Sequence, residues 1–210
     1  IMEKGGRKVR ARTIIGCGGA QSPVARKLVK RVTPKEHHCA AVRAYYQNIE
    51  GLDPNQMEIH FLQDHLPGYF WIFPLTNGWA NVGFGMLSKQ IAEQKVGLRQ
   101  SLENIVTQSP GLRDRFQNAT LRGPVTGFGL PLGSRKVKLS GEGFLLCGDA
   151  AALIEPATGE GIGNAMLSGK LAAEHIAAAL RNDDLSAATL ADYDQAVSTK
   201  IWKDLKQKYL

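Results

Sequence analysis

Apolar and polar residues alternate with a period of two between residues 39 and 87, a pattern typical of strands with one buried face. Four segments follow it and predict four antiparallel strands: CAAVRAYYQNI, QMEIHFL, GYFWIFPLT and WANVGFGML. The last two are joined through Asn77-Gly78, a strong signal for a tight hairpin. The segment NATLRGPVTGFGLPLG predicts another strand, and residues 89–107 have the spacing of an amphipathic helix.

The pattern changes to that of an α/β domain on both sides of this β-rich segment. Residues 9–16 predict a strand that leads through a glycine turn into a short helix, with Ser22 as N-cap and Pro23 as its first residue. GFLLCGD, residues 143–149, predicts a short buried strand. Two helical segments are predicted after it, over residues 160–181 and 186–209, the second as one helix or two.

This order of elements predicts a mixed α/β fold with two domains interleaved in the sequence. Residues 1–35 and 136–210 are expected to form a discontinuous nucleotide-type domain, and residues 36–135 an inserted antiparallel-sheet domain. The chain starts at Ile1 rather than Met and ends within a helical pattern. We therefore expect a piece of a longer protein that has been cut at both ends.

Composition and charge narrow the classes of partner. The net charge is +7, but the lysines and arginines are scattered and no aromatic platform is interleaved with them, so no nucleic-acid partner is predicted. The three cysteines are far apart and form neither a CxxC motif nor a cluster with histidine. They predict reduced, mostly buried thiols in a cytoplasmic protein, and no metal site is predicted.

The strongest candidate chemistry lies where the buried strand ends at Gly148-Asp149. A carboxylate in this place can accept hydrogen bonds from the hydroxyls of a sugar or ribityl chain. Pro156 stiffens the loop that follows, and the glycines after it leave the backbone uncovered, so that a planar ring can lie against it. The helix predicted to begin near Glu160 offers free N–H groups and the positive end of its dipole.

A plainer interpretation stays open for this stretch, because a Gly-Asp pair after a strand is common. Asp149 can cap a turn, and the glycines can serve packing at a helix start. The dinucleotide fingerprint GxGxxG is not met, since Asn164 stands where its last glycine belongs.

A second candidate surface lies on the predicted strand GYFWIFPLT. Because side chains alternate between the two faces of a strand, Tyr69, Trp71 and Phe73 share one face. Three aromatic side chains in a row form a long apolar wall that suits a greasy chain. The alternative is that this face is simply part of the hydrophobic core.

Three segments resemble one protein family. FLLCGDAAALIEPATGEGIGNAMLSGKLAAEHI is similar to the second flavin motif of the geranylgeranyl reductase family, FAD proteins shaped like para-hydroxybenzoate hydroxylase. Ser168-Gly169 matches the reductase branch of that group, whereas Asn164 matches the hydroxylases. The resemblance implies that FAD is bound by Gly148, Asp149, Pro156, Gly159, Glu160, Gly161, Ile162, Gly163 and Asn164.

The second similar segment is GYFWIFPLTNGWANVGFG, which resembles the family pattern Y-x-W-x-F-P…G-x-G. The resemblance implies that the cavity for the isoprenoid lipid is lined by Tyr69, Trp71, Phe73, Pro74, Gly83 and Gly85. The third segment, ARTIIGCGGAQSPVARKL, is similar to G-A-D-G-x-x-S-x-V-R, which lies near the flavin pyrophosphate and the reductant. Gly18 replaces the acid of that motif, which leaves the electron donor open between NAD(P)H and ferredoxin.

The resemblance extends from about Arg12 to Ala173 and implies an FAD-dependent reductase that saturates C=C bonds of a prenyl lipid. The family's first βαβ unit, with the GxGxxG that binds the ADP half of FAD, has no counterpart here, so we expect an incomplete FAD site. No catalytic residue or proton donor is identified. Two alternatives stay open: a flavin monooxygenase of the same fold, and a degenerate flavoprotein fragment without activity.

The end of the chain, KIWKDLKQKYL, places Ile201, Trp202, Leu205 and Tyr209 on one helical face and lysines on the other. Such a face can contact an anionic membrane surface, but more often it packs onto its own domain. A cytoplasmic protein is therefore expected, with peripheral membrane contact as an alternative.

Overall fold

The structure is a computed structural model that describes residues 8–208 of the 210-residue chain. The strands are β1 (Ile14–Gly16), β2 (His38–Gln47), β3 (Glu58–His60), β4 (Tyr69–Pro74), β5 (Trp79–Leu87), β6 (Thr120–Pro131), β7 (Ser140–Gly141) and β8 (Phe144–Leu146). The α-helices are α1 (Pro23–Leu28), α2 (Ser88–Gln94), α3 (Leu98–Gln108), α4 (Arg113–Phe116), α5 (Ile162–Arg181), α6 (Ala187–Val197) and α7 (Lys203–Gln207). This content confirms the predicted mixed α/β fold with an antiparallel sheet.

The chain divides into two compact units. Ile1–Thr33 and Pro131–Leu210 form the first unit, and Pro34–Leu130 form the second. The functions that the sequence suggests for the two domains, flavin binding and substrate binding, stay predictions.

A five-stranded sheet builds the second unit, with its strands in the order β3-β4-β5-β2-β6. The four strands predicted between residues 39 and 87 are confirmed, and β3–β4, β4–β5 and β5–β2 pair antiparallel. Asn77 and Gly78 both have positive φ, as the tight turn between β4 and β5 requires. One face of the sheet is buried together with apolar residues of α3 and α4, in a core that includes Phe70, Ile72, Val82, Phe84, Leu102, Ile105 and Phe116.

The helix predicted over residues 89–107 is two helices in the structure. α2 ends at Gln94, where Lys95 takes the left-handed conformation with φ of 54°. Gly97 then has extended backbone and serves as the N-cap of α3. The apolar spacing continues across the break, which is why periodicity alone predicts a single helix.

An ion pair on the second unit joins Glu58 of β3 to Arg115 of α4. The two guanidinium Nη atoms donate to the two carboxylate oxygens at 2.6 and 2.8 Å, and Arg115 Nε donates to the Glu50 carbonyl at 3.0 Å. The hydrogen bonds from Arg115 lower the pKa of Glu58, although partial burial opposes them. The pair therefore fastens α4 to the edge of the sheet.

We expect Arg115→Met to lower the free energy of unfolding by about 2 kcal/mol at pH 7, because a two-pronged, charge-assisted contact is lost. The pKa of Glu58 is depressed in the folded state, so its contribution is present above the unfolded pKa and lost as pH falls through the folded one. Denaturant unfolding at pH 7 and at pH 3 measures both effects. Arg115→Lys is the control, because it keeps the positive charge but cannot form the two-pronged contact. If the parent and Arg115→Met differ by the same free energy of unfolding at both pH values, the contribution assigned to ionised Glu58 is contradicted.

The first unit contains a three-stranded sheet in the order β1-β8-β7. β1 runs parallel to β8, with Ile14 opposite Phe144 and Gly16 opposite Leu146, and β7 pairs antiparallel with β8. β1 is shorter than the predicted strand over residues 9–16, because β8 offers only three residues to pair with. β7 lacks any apolar alternation and was not predicted.

The helices of the first unit match the predicted ones with small shifts. Ser22 caps α1 as predicted, since its hydroxyl accepts from Ala25 N at 3.3 Å. α5 begins at Ile162 rather than near Glu160, because the Glu160 carbonyl accepts from Glu155 N at 2.7 Å and stays within the preceding loop. The core of this unit includes Leu145, Leu146, Leu171, Leu190 and Tyr193.

The C-terminal helical face packs onto its own unit. Ile201 and Leu205 are buried in the core of the first unit, Trp202 is half-buried, and Tyr209 lies outside the described residues. Ile201 and Leu205 are therefore not available to a membrane surface. In residues 8–208, no helix combines the length and apolar character needed to cross a bilayer.

Candidate functional site

The backbone at Gly148 is held tightly between β8 and α5. Gly148 has a φ of 58° and donates its N–H to the Ser168 hydroxyl at 3.0 Å. A Cβ at this position would lie 3.0 Å from the Cβ of Ala165 and in a strained backbone conformation. Glycine is thus required here for α5 to approach the end of the strand closely.

Asp149 stands next to the glycine-rich turn, although it precedes Gly161 by twelve positions in the sequence. A Cβ built on Gly161 would lie 3.3 Å from Asp149 Oδ1, so the carboxylate faces the backbone just before α5. Partial burial raises the pKa of Asp149, and a hydrogen bond from its own backbone N–H opposes the rise. The Asp149 carboxylate is therefore a partly buried hydrogen-bond acceptor beside the glycine-rich turn.

The predicted flavin-binding glycines differ in their surroundings. Gly159 has a φ of 75°, which favours glycine, and a Cβ on Gly163 would meet open space. Glu160 is exposed and Pro156 half-buried. Gly163 therefore leaves uncovered backbone at the start of α5, as the sequence suggested, whereas Gly161 is covered on one side by Asp149.

Two large apolar side chains lie exposed on the first turns of α5. Ile162 is 75% exposed and Met166, one turn later, is 73% exposed. Residues four apart share a helix face, so they form one apolar patch beside the uncovered backbone of Gly163. Of these two residues, sequence analysis identified only Ile162.

Glu155 is the residue around which the loop is built, and the sequence analysis missed it. It is 6% exposed, and its carboxylate accepts from Ala157 N at 3.1 Å, from Thr158 N at 2.7 Å and from the Thr158 hydroxyl. Burial alone would raise its pKa, but these hydrogen bonds outweigh burial and lower it. Asn164 has a similar structural task, since its amide donates to the Leu153 carbonyl at 2.9 Å. The only sequence signal for Glu155 was a carboxylate three residues before a threonine and a glycine.

The predicted aromatic wall lies in the second unit and is outside its core. Tyr69, Trp71 and Phe73 follow one another along β4 with ring centroids 5.8 and 6.1 Å apart, and all three are half-buried. Phe70 and Ile72, which alternate with them, are fully buried on the opposite face. The interpretation of the aromatic residues as ordinary core is therefore wrong.

Neighbouring strands extend this apolar face. Ile59 pairs with Trp71 and is half-exposed, and the ring of Phe61 lies 6.3 Å from that of Tyr69. The sequence analysis did not identify Ile59 or Phe61, because β3 is only three residues long and its alternation is brief. Together they form an apolar face two strands wide.

Gly83 and Gly85 on β5 lie opposite Trp71 and Tyr69. The Trp71 indole covers Gly83, where a Cβ would lie 2.6 Å from its Cε2 atom and 2.5 Å from the Val42 carbonyl oxygen. Trp71 Nε1 also donates to Asn81 Oδ1 at 3.2 Å, which fixes the orientation of the ring. Pro74 ends β4 opposite Ala80.

One charged side chain lies in the same row as Trp71 and Gly83. Arg43 of β2 pairs with Gly83, and its guanidinium lies 4.5 Å from the ring centroid of Tyr45. Directly paired residues of a sheet project to the same face, so a cation lies beside the aromatic face. The sequence analysis did not identify it.

Residues 37–119 match the model of the geranylgeranyl reductase catalytic domain. The chain is 32% identical over 206 residues to digeranylgeranylglycerophospholipid reductase 1 of Methanopyrus kandleri, covering 91% of this chain and 50% of that protein. The chain belongs to the geranylgeranyl reductase family. This confirms the resemblance noted in the sequence.

Two further similar proteins agree with this assignment. A menaquinone reductase of Mycobacterium tuberculosis is 35% identical over 173 residues, covering 80% of this chain and 42% of that protein. The crystal structure of a geranylgeranyl bacteriochlorophyll reductase-like protein from Thermoplasma acidophilum superposes with a TM-score of 0.84 at 26% identity, covering 95% of this chain and 49% of that one. The 210-residue chain thus spans about half the length of the curated relatives that it matches.

Proposed function

We propose that this geranylgeranyl reductase family member is part of an FAD-dependent enzyme that reduces C=C bonds of a prenyl lipid. The observation that carries the proposal is the aromatic face of Tyr69, Trp71 and Phe73, which is kept out of the core in the segment that matches the catalytic domain. Contiguous apolar faces outside a protein core often mark the binding site of a ligand or partner. A prenyl chain is an apolar ligand of the kind that such a face binds.

The first unit supplies surroundings that fit a flavin. Asp149 would accept hydrogen bonds from the ribityl hydroxyls, and the uncovered backbone at Gly163 together with Ile162 would receive the edge of the ring. The N-terminal end of α5 would stabilise negative charge on the reduced ring. Bound FAD would supply the hydride. We propose that Gly148, Pro156, Gly159, Glu160, Gly161 and Asn164 shape this site.

The residues of the second unit would act by positioning rather than by acid–base chemistry. An isolated alkene has no carbonyl group to polarise, so the protein must hold it in place and exclude water. Tyr69, Trp71 and Phe73 would hold the chain, while Pro74, Gly83 and Gly85 shape the strand ends and the surface beneath the indole. No proton donor is assigned.

The substrate class is proposed as a prenyl lipid without a defined head group. The names of the two curated relatives specify a phospholipid and a quinone, which differ in head group. Such substrates reside in membranes, so we propose peripheral contact between a cytoplasmic enzyme and a membrane surface. The electron donor, NAD(P)H or ferredoxin, stays open because Gly18 stands where the family motif has an acid.

Anaerobic reoxidation of the reduced flavin tests the proposed reaction. The protein is expressed from its complete natural reading frame, its FAD is reduced without oxygen, and a geranylgeranyl phospholipid or menaquinone is added. Reoxidation by either lipid supports the reductase. Reoxidation only by O₂, stimulated by an aromatic substrate, would indicate a monooxygenase, and a preparation without flavin would indicate a degenerate flavoprotein.

Asp149→Asn is expected to weaken FAD binding by about 10- to 100-fold, since a hydrogen bond to an ionised acceptor contributes about 1.5–3 kcal/mol. The same substitution is expected to raise the thermal midpoint of the flavin-free protein at pH 7. Burial raises the pKa of Asp149 in the folded protein. Above this folded-state pKa the buried charge lowers the free energy of unfolding, and below the pKa of the unfolded state this destabilisation is absent.

Flavin titration and thermal unfolding at pH 7 and pH 3 measure the two effects of Asp149→Asn. Asp192→Asn, on the exposed surface of α6, is the matched control and should change neither. A variant that binds FAD as the parent does would remove Asp149 from the proposed site.

A further inference from the structure

Two cysteines meet at the carboxyl ends of the paired strands β1 and β8. In the parallel register Gly16 lies opposite Leu146, so the next residues in each strand, Cys17 and Cys147, are also neighbours. The Cys147 N–H donates to the Gly16 carbonyl at 3.1 Å, which continues the pairing past the last assigned residues.

The two thiols have different environments. Cys17 is exposed, contrary to the prediction of mostly buried thiols, whereas Cys147 is buried. The Cys147 sulfur lies 3.7 Å from the Ser168 carbonyl and 3.5 Å from the Tyr193 hydroxyl. An oxidant in solution therefore reaches Cys17 and not Cys147.

We propose that Cys17 and Cys147 are a redox-active thiol pair that closes to an intramolecular disulfide in the presence of a peroxide. Neighbouring strands lie about 4.8 Å apart, within the roughly 4.4–6.8 Å that a disulfide allows between Cα atoms. The proposal does not depend on the proposed reductase function.

The reaction proceeds in two balanced steps. The Cys17 sulfur attacks one peroxide oxygen, the O–O bond breaks, and Cys17 becomes a sulfenic acid while water leaves. The Cys147 sulfur then attacks the Cys17 sulfur, an S–S bond forms, and the hydroxyl leaves as a second water. Two thiols lose two electrons, which reduce one hydrogen peroxide to two waters.

The second step should be slow at neutral pH. Burial raises the pKa of Cys147 to about 11, so little of the nucleophilic thiolate is present at pH 7. The rate of closure should rise as pH increases towards that value. The third cysteine, Cys39, belongs to the second unit and is half-buried, which makes it a built-in control for reactivity without such a neighbour.

Thiol counting and peptide mapping test the pair. The reduced 210-residue chain is treated with hydrogen peroxide, unfolded, alkylated and digested. We expect the loss of two of the three thiols, a mass decrease of about 2 Da, and a linked pair of peptides containing Cys17 and Cys147. Cys39→Ser should give the same crosslink.

The single variants separate the two roles. In Cys147→Ser, oxidation should stop at a sulfenic acid on Cys17 that dimedone traps, and in Cys17→Ser the Cys147 thiol should resist peroxide. Circular dichroism of each variant checks that it is folded, and the mapping of the parent chain needs no variant. Oxidation of Cys17 in the parent to sulfinic acid without the crosslink, or crosslinking only between chains, would overturn the proposal.

Discussion

Gly83→Ala is expected to lower the free energy of unfolding by about 2–3 kcal/mol, as overpacking of a filled site does. A Cβ at this position would lie 2.5 Å from the Val42 carbonyl oxygen and 2.6 Å from Trp71 Cε2. The carbonyl belongs to the neighbouring strand and cannot withdraw without disturbing the pairing of β2 with β5. The indole must therefore leave its place, and its hydrogen bond to Asn81 is lost with it.

The neighbouring glycine on the same face provides the control. A Cβ on Gly85 would lie 3.2 Å from the Ala41 Cβ, a tight contact that a shift of a few tenths of an ångström relieves. Gly85→Ala should therefore lose less than about 1 kcal/mol in the same denaturant titration. If both variants lose the same free energy of unfolding, the loss comes from replacing glycine in the backbone of β5 and not from displacing Trp71.

The effect of Gly83→Ala on function follows from the same contact. If the aromatic face holds the prenyl chain, displacing Trp71 changes the surface that the chain contacts, and the apparent affinity for lipid should fall while FAD remains bound. A variant that unfolds completely would exceed the expected loss of about 2–3 kcal/mol and could not report on lipid binding. The milder Trp71→Phe then tests the face, because it keeps a ring on β4 without the hydrogen bond to Asn81.

The aromatic face could be predicted because its signal is local. Tyr69, Trp71 and Phe73 alternate within five residues, and the turn at Asn77-Gly78 fixes which strand comes next. What alternation could not decide was which side of the strand is buried, since both sets of residues are apolar. Only the packing of Phe70 and Ile72 against the helices of the second unit decides this.

The remaining features depend on contacts between distant parts of the chain. Cys17 and Cys147 become neighbours only through a parallel pairing across 130 residues, and no short pattern encodes such a register. The start of α5 depends on the hydrogen bond from Glu155 N to the Glu160 carbonyl, which a helix-propensity argument does not contain. The Gly148-Asp149 pair at the end of a strand stands out in the sequence, but the approach of Asp149 to Gly161 and of Gly148 to Ala165 is seen only in the structure.

Glu155→Ala is expected to disorder the loop before α5 and to lower the free energy of unfolding by about 2 kcal/mol, because hydrogen bonds to an ionised acceptor are lost. The carboxylate accepts from two successive backbone N–H groups and from the Thr158 hydroxyl. Without it, nothing in the loop replaces these three contacts. If Gly159 and its neighbours receive the flavin, FAD affinity should fall together with the order of the loop.

Exposed Glu160 offers the matched control, since it is the same residue type five positions away. Glu160→Ala should leave unfolding almost unchanged, and amide hydrogen exchange at Ala157 and Thr158 should accelerate only in Glu155→Ala. The hydrogen bonds depress the pKa of Glu155, so its contribution is present above the unfolded pKa and disappears as pH falls through the folded value. The parent and Glu155→Ala should therefore converge in stability at pH 3. A difference that persists at that pH would mean that Glu155 stabilises the loop by packing, with its charge contributing nothing.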